Sequence, residues 1–345
     1  MSDNSFDSLM EGFEETMEKA PVKSTKTGKK LTTNAAVNEI VNAIMNVVCN
    51  TNADAIVEAT IPLVKKRVEE EIGVVPKRVE VKTEYKTTTV EGATHEKFEE
   101  VLKWVAADVP VYLTGKAGTG KNVICQQVAK ALGLDFYFTN AVTQEYKLTG
   151  FIDANGTYHP TQFFKAFTQG GLFFLDEMDA SVPETLIILN AAIANRYFDF
   201  PTGRTRANPK FRVIAAGNTL GTGADINYTG RYSLDRASLD RFALVQIDYS
   251  RAIEDAITQN NHDLVNFAHR FREATEAAGV ECLCTYRAIN MISKMEKVFD
   301  SLSEVMEASL VKGMDRDSLH ILQKRFSDMA DMGGNKYAKV FMGMT

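Results

Sequence analysis

Between positions 111 and 122 the chain reads VYLTGKAGTGKN, and NVICQQVAKAL continues from Asn122. A strand-like apolar run thus leads into Gly115, Lys116, Ala117, Gly118, Thr119, Gly120 and Lys121, and a helix-like stretch follows. This is the GxxxxGK pattern in the strand-before, helix-after setting that its chemistry needs. Glycines let backbone N–H groups close around a triphosphate with no Cβ atoms in the way. The helix N-terminus adds a partial positive charge, and Lys121 brings a full one to the β- and γ-phosphates. A glycine-rich turn without a ligand is the competing reading, and the flanking strand and helix count against it. Position 122 departs from the pattern, with Asn where Ser or Thr usually offers a hydroxyl to Mg²⁺. The Asn122 carbonyl is a hard oxygen donor that suits the ion directly or through water; alternatively the ion is held weakly.

Fifty-five residues beyond Lys121, the apolar run Leu172–Leu175 ends in Asp176 and Glu177. Two carboxylates at the end of a buried strand are costly unless their charges have a task there. Asp176 is expected to hold Mg²⁺ and Glu177 to polarise the attacking water; solvated acids on an edge strand are the alternative. Asp179 reads as a cap for a helix starting near Val182. A further apolar run, FRVIAAGNT over 211–219, ends in Asn218, an amide able to orient water, or else a turn residue beside Gly217. Arg236 and Arg241 follow in SLDRASLDRF; an arginine delivered from a neighbouring subunit stabilises a transferring phosphate strongly. Salt bridges to Asp235 or Asp240 are the plainer reading, more so for Arg236. Arg287, in CTYRAIN, starts a later helix and could lean over the γ-phosphate.

These residues need a scaffold. From about residue 95, five strand-like runs (VPVYLTG, LDFYFTN, GLFFLDE, FRVIAAGN, FALVQIDY) alternate with helical stretches. That is the pattern of an α/β fold, a parallel sheet with helices on both faces. After about 252 the periodicity is helical, with Ile289, Ile292, Met295, Val298 and Phe299 at helical spacing. The expected organisation is an acidic-then-basic disordered tail over 1–30, a helical hairpin and extended linker over 31–94, an α/β nucleotide-binding domain over 95–250, and a helical lid over 251–345. Within this, 6–18 could form a short amphipathic helix, 32–73 a helical pair and 74–94 strand or linker. Asn155-Gly156 predicts a tight hairpin, and Pro201-Thr202-Gly203 a second one.

Composition limits the remaining classes. Of 345 residues, 45% are apolar and 24% charged, as in a globular protein with a sizeable core. The net charge of −6 sits at one end: residues 1–18 hold six acids and no Lys or Arg, and the rest balances. A generally basic nucleic-acid coat is excluded. No run approaches the roughly 18–20 apolar residues of a membrane span, and the acidic start does not read as a secretory signal. Cys49, Cys125, Cys282 and Cys284 lack metal-ligand spacing, so reduced thiols in a cytoplasmic protein are expected.

GKAGTGKN, LFFLDEMD, AAGNT, LDRF and TYRA, in this order and spacing, resemble an AAA+ ATPase. Within that group the chain is similar to the MoxR-type branch, including CbbQ/NorQ-like, gas-vesicle-type and phage members. The hairpin segments over 146–171 and 190–214 carry the finer likeness. The resemblance spans about 95–300; it excludes 1–94, and the last 45 residues match only as a helical lid. It implies ATP and Mg²⁺ as cofactors, Gly115–Asn122 as the nucleotide loop, Asp176 at the metal and Glu177 at the water, with Asn122 the departure already noted. It implies Asn218 as first sensor, Arg241 as arginine finger and Arg287 as second sensor. It further implies a hexameric ring of identical copies that remodels a partner protein, often one with a von Willebrand A domain. A nucleic-acid partner is the less favoured alternative, and a nucleotide-gated scaffold with weak hydrolysis is another. In such a ring Tyr158, His159, Phe163 and Phe164, with Arg196, Arg204, Arg206 and Lys210, could line the pore; for Phe163 and Phe164, packing of the hairpin base onto the core is the favoured expectation.

Overall fold

A strand that is apolar at every position needs cover on both faces, and the central strands of this protein are of that kind. The structure, a computed structural model, describes residues 79–82, 87–90, 93–224, 228–329 and 333–344, all within the unit Arg67–Thr345. The tail over 1–30, the helix expected over 6–18 and the helical pair over 32–73 lie outside these residues. Val79–Lys82 (β1) and Thr87–Val90 (β2) pair antiparallel, within the stretch read as strand or linker.

Helix Phe98–Ala106 (α1) precedes Val111–Thr114 (β3), and Lys121–Leu132 (α2) follows it. Then come Phe136–Thr139 (β4), Tyr146–Thr149 (α3), the short strands Phe151–Ile152 (β5) and Tyr158–His159 (β6), and Gln162–Gln169 (α4). Gly171–Leu175 (β7), Pro183–Asn195 (α5), Tyr197–Phe200 (β8), Gly203–Arg206 (β9), Phe211–Gly217 (β10), Arg236–Leu239 (α6) and Ala243–Gln246 (β11) complete this part. Five strands form one parallel sheet in the order β11-β3-β10-β7-β4. Side chains alternate between its faces. Val111, Leu113, Phe174, Ile214 and Val245 pack with α1 and α2 on one side. Tyr112, Phe173, Leu175, Phe211 and Val213 pack with α4 and α5 on the other. The order places β3, β10 and β7 side by side, so the residues after their carboxyl ends, Gly115, Asn218 and Asp176, become neighbours. That edge is where open α/β sheets bind ligands.

Both expected hairpins form. In the β5–β6 turn, Asp153 Oδ1 accepts from the N–H groups of Asn155 and Thr157, each at 2.9 Å, and Gly156 takes φ +80°. β8 and β9 pair antiparallel around Pro201-Thr202. Phe163 and Phe164 pack onto the core, as favoured for them, and among the pore aromatics Tyr158 needs correcting. Phe163 is fully buried, Phe164 packs edge-on against Tyr158 and Phe200, and the Tyr158 hydroxyl donates to the Thr149 carbonyl at 2.7 Å. The ring sizes that suggested a gripping surface instead fill the base of the hairpin. The exposed apolar face consists of Tyr146, Phe151 and Ile152, with His159 stacked on Phe151 at 4.9 Å.

The chain from 251 onward is helical: Arg251–Ile257 (α7), His262–Ala278 (α8), Tyr286–Met295 (α9), Leu302–Met306 (α10), Arg316–Met329 (α11) and Lys336–Met342 (α12). Side-chain oxygens of Asn261, Thr285, Ser301 and Asn335 cap α8, α9, α10 and α12. This part has its own core, around Phe267, Phe271, Ile289, Leu322, Phe326 and Phe341. Buried Glu254 binds His269 Nε2 at 2.5 Å and Arg272 Nη1 at 2.6 Å. Arg272 in turn lies 3.7 Å from the centre of the Tyr249 ring. Among the described residues no helix is long and apolar enough to cross a membrane.

The end of β10 is the tightest point of the sheet. A Cβ at Gly217 would lie 2.0 Å from the Tyr112 hydroxyl and 2.9 Å from Asp179 Cγ. Gly217→Ala is therefore expected to cost about 1–3 kcal/mol, the usual penalty for forcing an atom into a packed core. Chemical denaturation measures it; a variant as stable as the parent would show that the strand end yields freely.

Candidate functional site

The carboxyl edge of the sheet opens into a cavity of about 570 Å³. Ala117 through Asn122 line it, with Asp176, Glu177, Asn218 and Arg287. Six residues singled out at long separations in the chain (Lys121, Asn122, Asp176, Glu177, Asn218 and Arg287) thus meet in one place. Arg236 and Arg241 do not join them. Both are exposed, neither is ion-paired with Asp235 or Asp240, and Arg241 donates to the Ala237 carbonyl one helical turn back.

The loop after β3 can exist only with glycine at its start. Gly115 has φ +150°, and a Cβ there would sit 2.0 Å from the Ile247 carbonyl oxygen. Lys121 begins α2 and is buried. Its ammonium uses three donors, to the carbonyls of Gly115 at 2.7 Å and Lys116 at 3.1 Å and to Asn218 Oδ1 at 3.0 Å. Burial pulls its pKa from 10.5 down to about 8, against the attraction of Asp176 and Asp179. Two tyrosines brace the loop from outside. The Ala117 N–H donates to the Tyr228 hydroxyl and the Tyr249 hydroxyl donates to the Ala117 carbonyl, both at 2.9 Å. The loop's carbonyls at Gly115, Lys116 and Ala117 are thereby met from within the protein.

Beside it, every residue of β7 is buried and the chain emerges at Asp176. Burial pushes the Asp176 carboxyl up, opposed by the N–H of Glu177 at 3.0 Å and by Lys121. Glu177 is half exposed and has a left-handed backbone, φ +53°. A non-glycine residue held there signals a constraint imposed by its surroundings. Asp179 is not the cap read from the sequence: α5 starts at Pro183 with no side-chain cap from its N-cap residue Val182. Asp179 is instead fully buried. Its Oδ2 accepts from Asn218 N at 2.9 Å, Thr219 N at 2.9 Å and Thr219 Oγ1 at 3.0 Å. Arg231 stands 3.4 Å from both Asp179 Oδ1 and Glu177 Oε1. Nothing in the local sequence marks either role, because the partners lie 39 to 54 residues apart.

The far end of the cavity is less polar. Ala93, His95 and Gln127 face Ile253, Ala256, Ile257 and Tyr286 across it. His95 was missed in the sequence. Its Nδ1 accepts from Lys97 N–H at 3.0 Å, so Nε2 carries the proton and donates to the Asp248 carbonyl at 2.8 Å. Gln127 donates to the Ala93 carbonyl at 3.0 Å.

The donors suit a nucleotide with Mg²⁺. A cradle closed to any Cβ, a helix N-terminus and a buried ammonium favour phosphate. Among the described residues no cluster of three or more His, Cys, Asp and Glu side chains could hold a metal alone. Asp176 and Asn122 offer two oxygen donors, the small protein share that Mg²⁺ takes when phosphate oxygens and water complete its shell.

Residues 110–242 match the AAA domain of the dynein-related subfamily. The chain is 26% identical over 237 residues to an uncharacterized protein of Staphylococcus haemolyticus, across 59% of this chain and 88% of that one. It is 24% identical over 249 residues to one of Staphylococcus epidermidis, across 62% and 92%. Of solved structures, NtrX from Brucella abortus in complex with ATP aligns at 16% identity and a TM-score of 0.42, over 86% of this chain and 73% of that one. The matched segment carries Gly115–Asn122, Asp176, Glu177 and Asn218, so this part of the site is similar to an AAA domain, a module of the ATPase class.

Phosphate needs Lys121 charged, and the empty site releases its proton at about pH 8. Above that pH nucleotide binding is expected to take up a proton, and affinity to fall by up to about tenfold per pH unit. Titration calorimetry in buffers of different ionisation enthalpy reads the uptake directly. Equal heats at pH 9 would mean that Lys121 stays charged without ligand.

Proposed function

We propose that the chain hydrolyses ATP and, as a hexameric ring of identical copies in the cytoplasm, uses that cycle to remodel a partner protein, in the manner of the MoxR-type branch. The observation that carries this reading is a division of labour. Lys121, Asn122, Asp176, Glu177, Asn218 and Arg287 converge on one cavity, while Arg241 is exposed outside it. A site whose arginine faces away from its own cavity calls for a second copy to complete it.

In this reading Lys121 leaves the Gly115 and Lys116 carbonyls for the β- and γ-phosphates. Asp176 and Asn122 would hold Mg²⁺, which when bound would supply positive charge to the phosphate oxygens. Glu177 takes a proton from the water that attacks phosphorus, the bond to the β–γ bridging oxygen breaks, and ADP leaves. Asn218 orients that water. Arg287, on α9, carries the state of the γ-phosphate to the lid, and Arg241 of the adjoining copy meets the transferring group. Tyr146, Phe151 and Ile152 supply the apolar face for the partner, a von Willebrand A-domain protein being one candidate class.

Glu177→Gln is expected to keep ATP binding and lower turnover by about 10²–10⁴-fold. Arg241→Ala is expected to lose about 10³-fold or more in the assembled ring. Full turnover of Arg241→Ala rings would pass the finger role to Arg236 or remove it. Asn122→Thr separates a working ATPase from a slow nucleotide-gated scaffold: a rise in turnover of tenfold or more, about 1.4 kcal/mol, would identify the scaffold. Salt-sensitive DNA binding with DNA-stimulated hydrolysis would replace the protein partner by nucleic acid.

A further inference from the structure

We propose that Arg231 is a positioning residue for Glu177, fixing the water-activating carboxylate to the loop that carries Asn218 by way of Asp179. The inference rests on the role given to Glu177 above.

Asp179 is the anchor. It is 0% exposed, and a buried carboxylate is tolerated only when donors and a counter-charge meet it. Its Oδ2 is filled by the three donors of Asn218 and Thr219. Its Oδ1 has no hydrogen bond, and its charge is met by Arg231 Nη1 at 3.4 Å. The backbone next to Arg231 is pinned to the same residue, since Tyr232 N–H donates to the Asp179 carbonyl at 2.7 Å. Arg231 is 12% exposed and so is the fixed member of its second pair, with Nη2 3.4 Å from Glu177 Oε1. Glu177 is the member that would otherwise move. Its side chain is 48% exposed, and ordering a solvated glutamate costs rotamer freedom that a fixed partner offsets.

A guanidinium is suited to this task because its planar fork offers separate N–H groups in fixed directions, one toward each carboxylate. The resulting series of contacts runs from Lys121 to Asn218, through the Asn218 and Thr219 backbone to Asp179, and on through Arg231 to Glu177. When Lys121 exchanges the Asn218 oxygen for a phosphate, the loop held by Asp179 is released from one of its bonds, and Arg231 transmits the change to the carboxylate. In the sequence Arg231 reads as an ordinary surface arginine ahead of SLDRASLDRF.

The test uses the full chain. Steady-state ATP turnover, ATP affinity and the thermal midpoint are measured for the parent, Arg231→Gln and Arg231→Lys. Arg231→Gln is expected to lower kcat about tenfold or more while KM and affinity stay within about twofold, with partial recovery in Arg231→Lys. Single-turnover rates complete a cycle with Glu177→Gln: in that background Arg231→Gln should add no further loss, because the carboxylate it positions is gone. Full kcat in Arg231→Gln, an equal loss in both backgrounds, or a change confined to KM would overturn the inference. Should Arg231→Gln not fold, Asp179→Asn combined with Arg231→Gln removes the uncompensated charge. That double variant must still show the kcat loss, and full kcat in it would overturn the inference. Parent-like turnover in Glu177→Gln, or no hydrolysis by the parent, overturns the assignment of Glu177 itself and this inference with it. An active parent, an inactive Glu177→Gln and a normal Arg231→Gln overturn only the role of Arg231.

Discussion

A carboxylate out of reach of water, at the edge where three strands end, governs the arrangement around the site. Ionised and unpaired, such a group would cost several kcal/mol. Asp179 avoids this by drawing three donors from the turn after β10 and a guanidinium from the segment after it. The demand fixes Asn218 beside Lys121. It also fixes the sheet locally, since Gly217 has to pass beneath Asp179 and Tyr112 without a side chain, while the Tyr112 hydroxyl donates to the Thr219 carbonyl at 2.9 Å. Burial pushes the Tyr112 phenol well above its ordinary pKa, so it stays a donor at any ordinary pH.

What the sequence made legible was local. The glycine loop, the strand ending in two acids, both hairpin turns and the five apolar runs each declare themselves within a dozen residues, and each forms as expected. That Gly115, Asn218 and Asp176 become neighbours follows from strand order, a property of the parallel sheet. The roles of Asp179, Arg231, Tyr228 and His95 were not legible, because each depends on partners tens of residues or more away. Asp179 misled by standing near a helix start, where its residue type usually caps. Tyr158 misled by composition, since aromatic side chains suit a gripping loop and a hairpin base equally. Burial distinguishes the two, and burial is a tertiary property.

The loop that would receive phosphate is supported from the helical part of the chain. Glu254 holds Arg272, Arg272 stacks on Tyr249, and Tyr249 bonds the Ala117 carbonyl. The Tyr286 N–H reaches the Gly118 carbonyl at 3.4 Å, and the Tyr286 hydroxyl accepts from Ser250 N–H. A shift of α9 therefore acts on the loop through its backbone as well as through Arg287.

The cavity has walls from two separate apolar cores. Gly118 through Gln127 belong with the sheet, whereas Ile253, Ala256, Ile257 and Tyr286 belong with the helices that follow. A ligand filling it would bury surface contributed by both cores at once. The folded state as a whole, and not the cleft alone, would then gain stability with the concentration of the occupant.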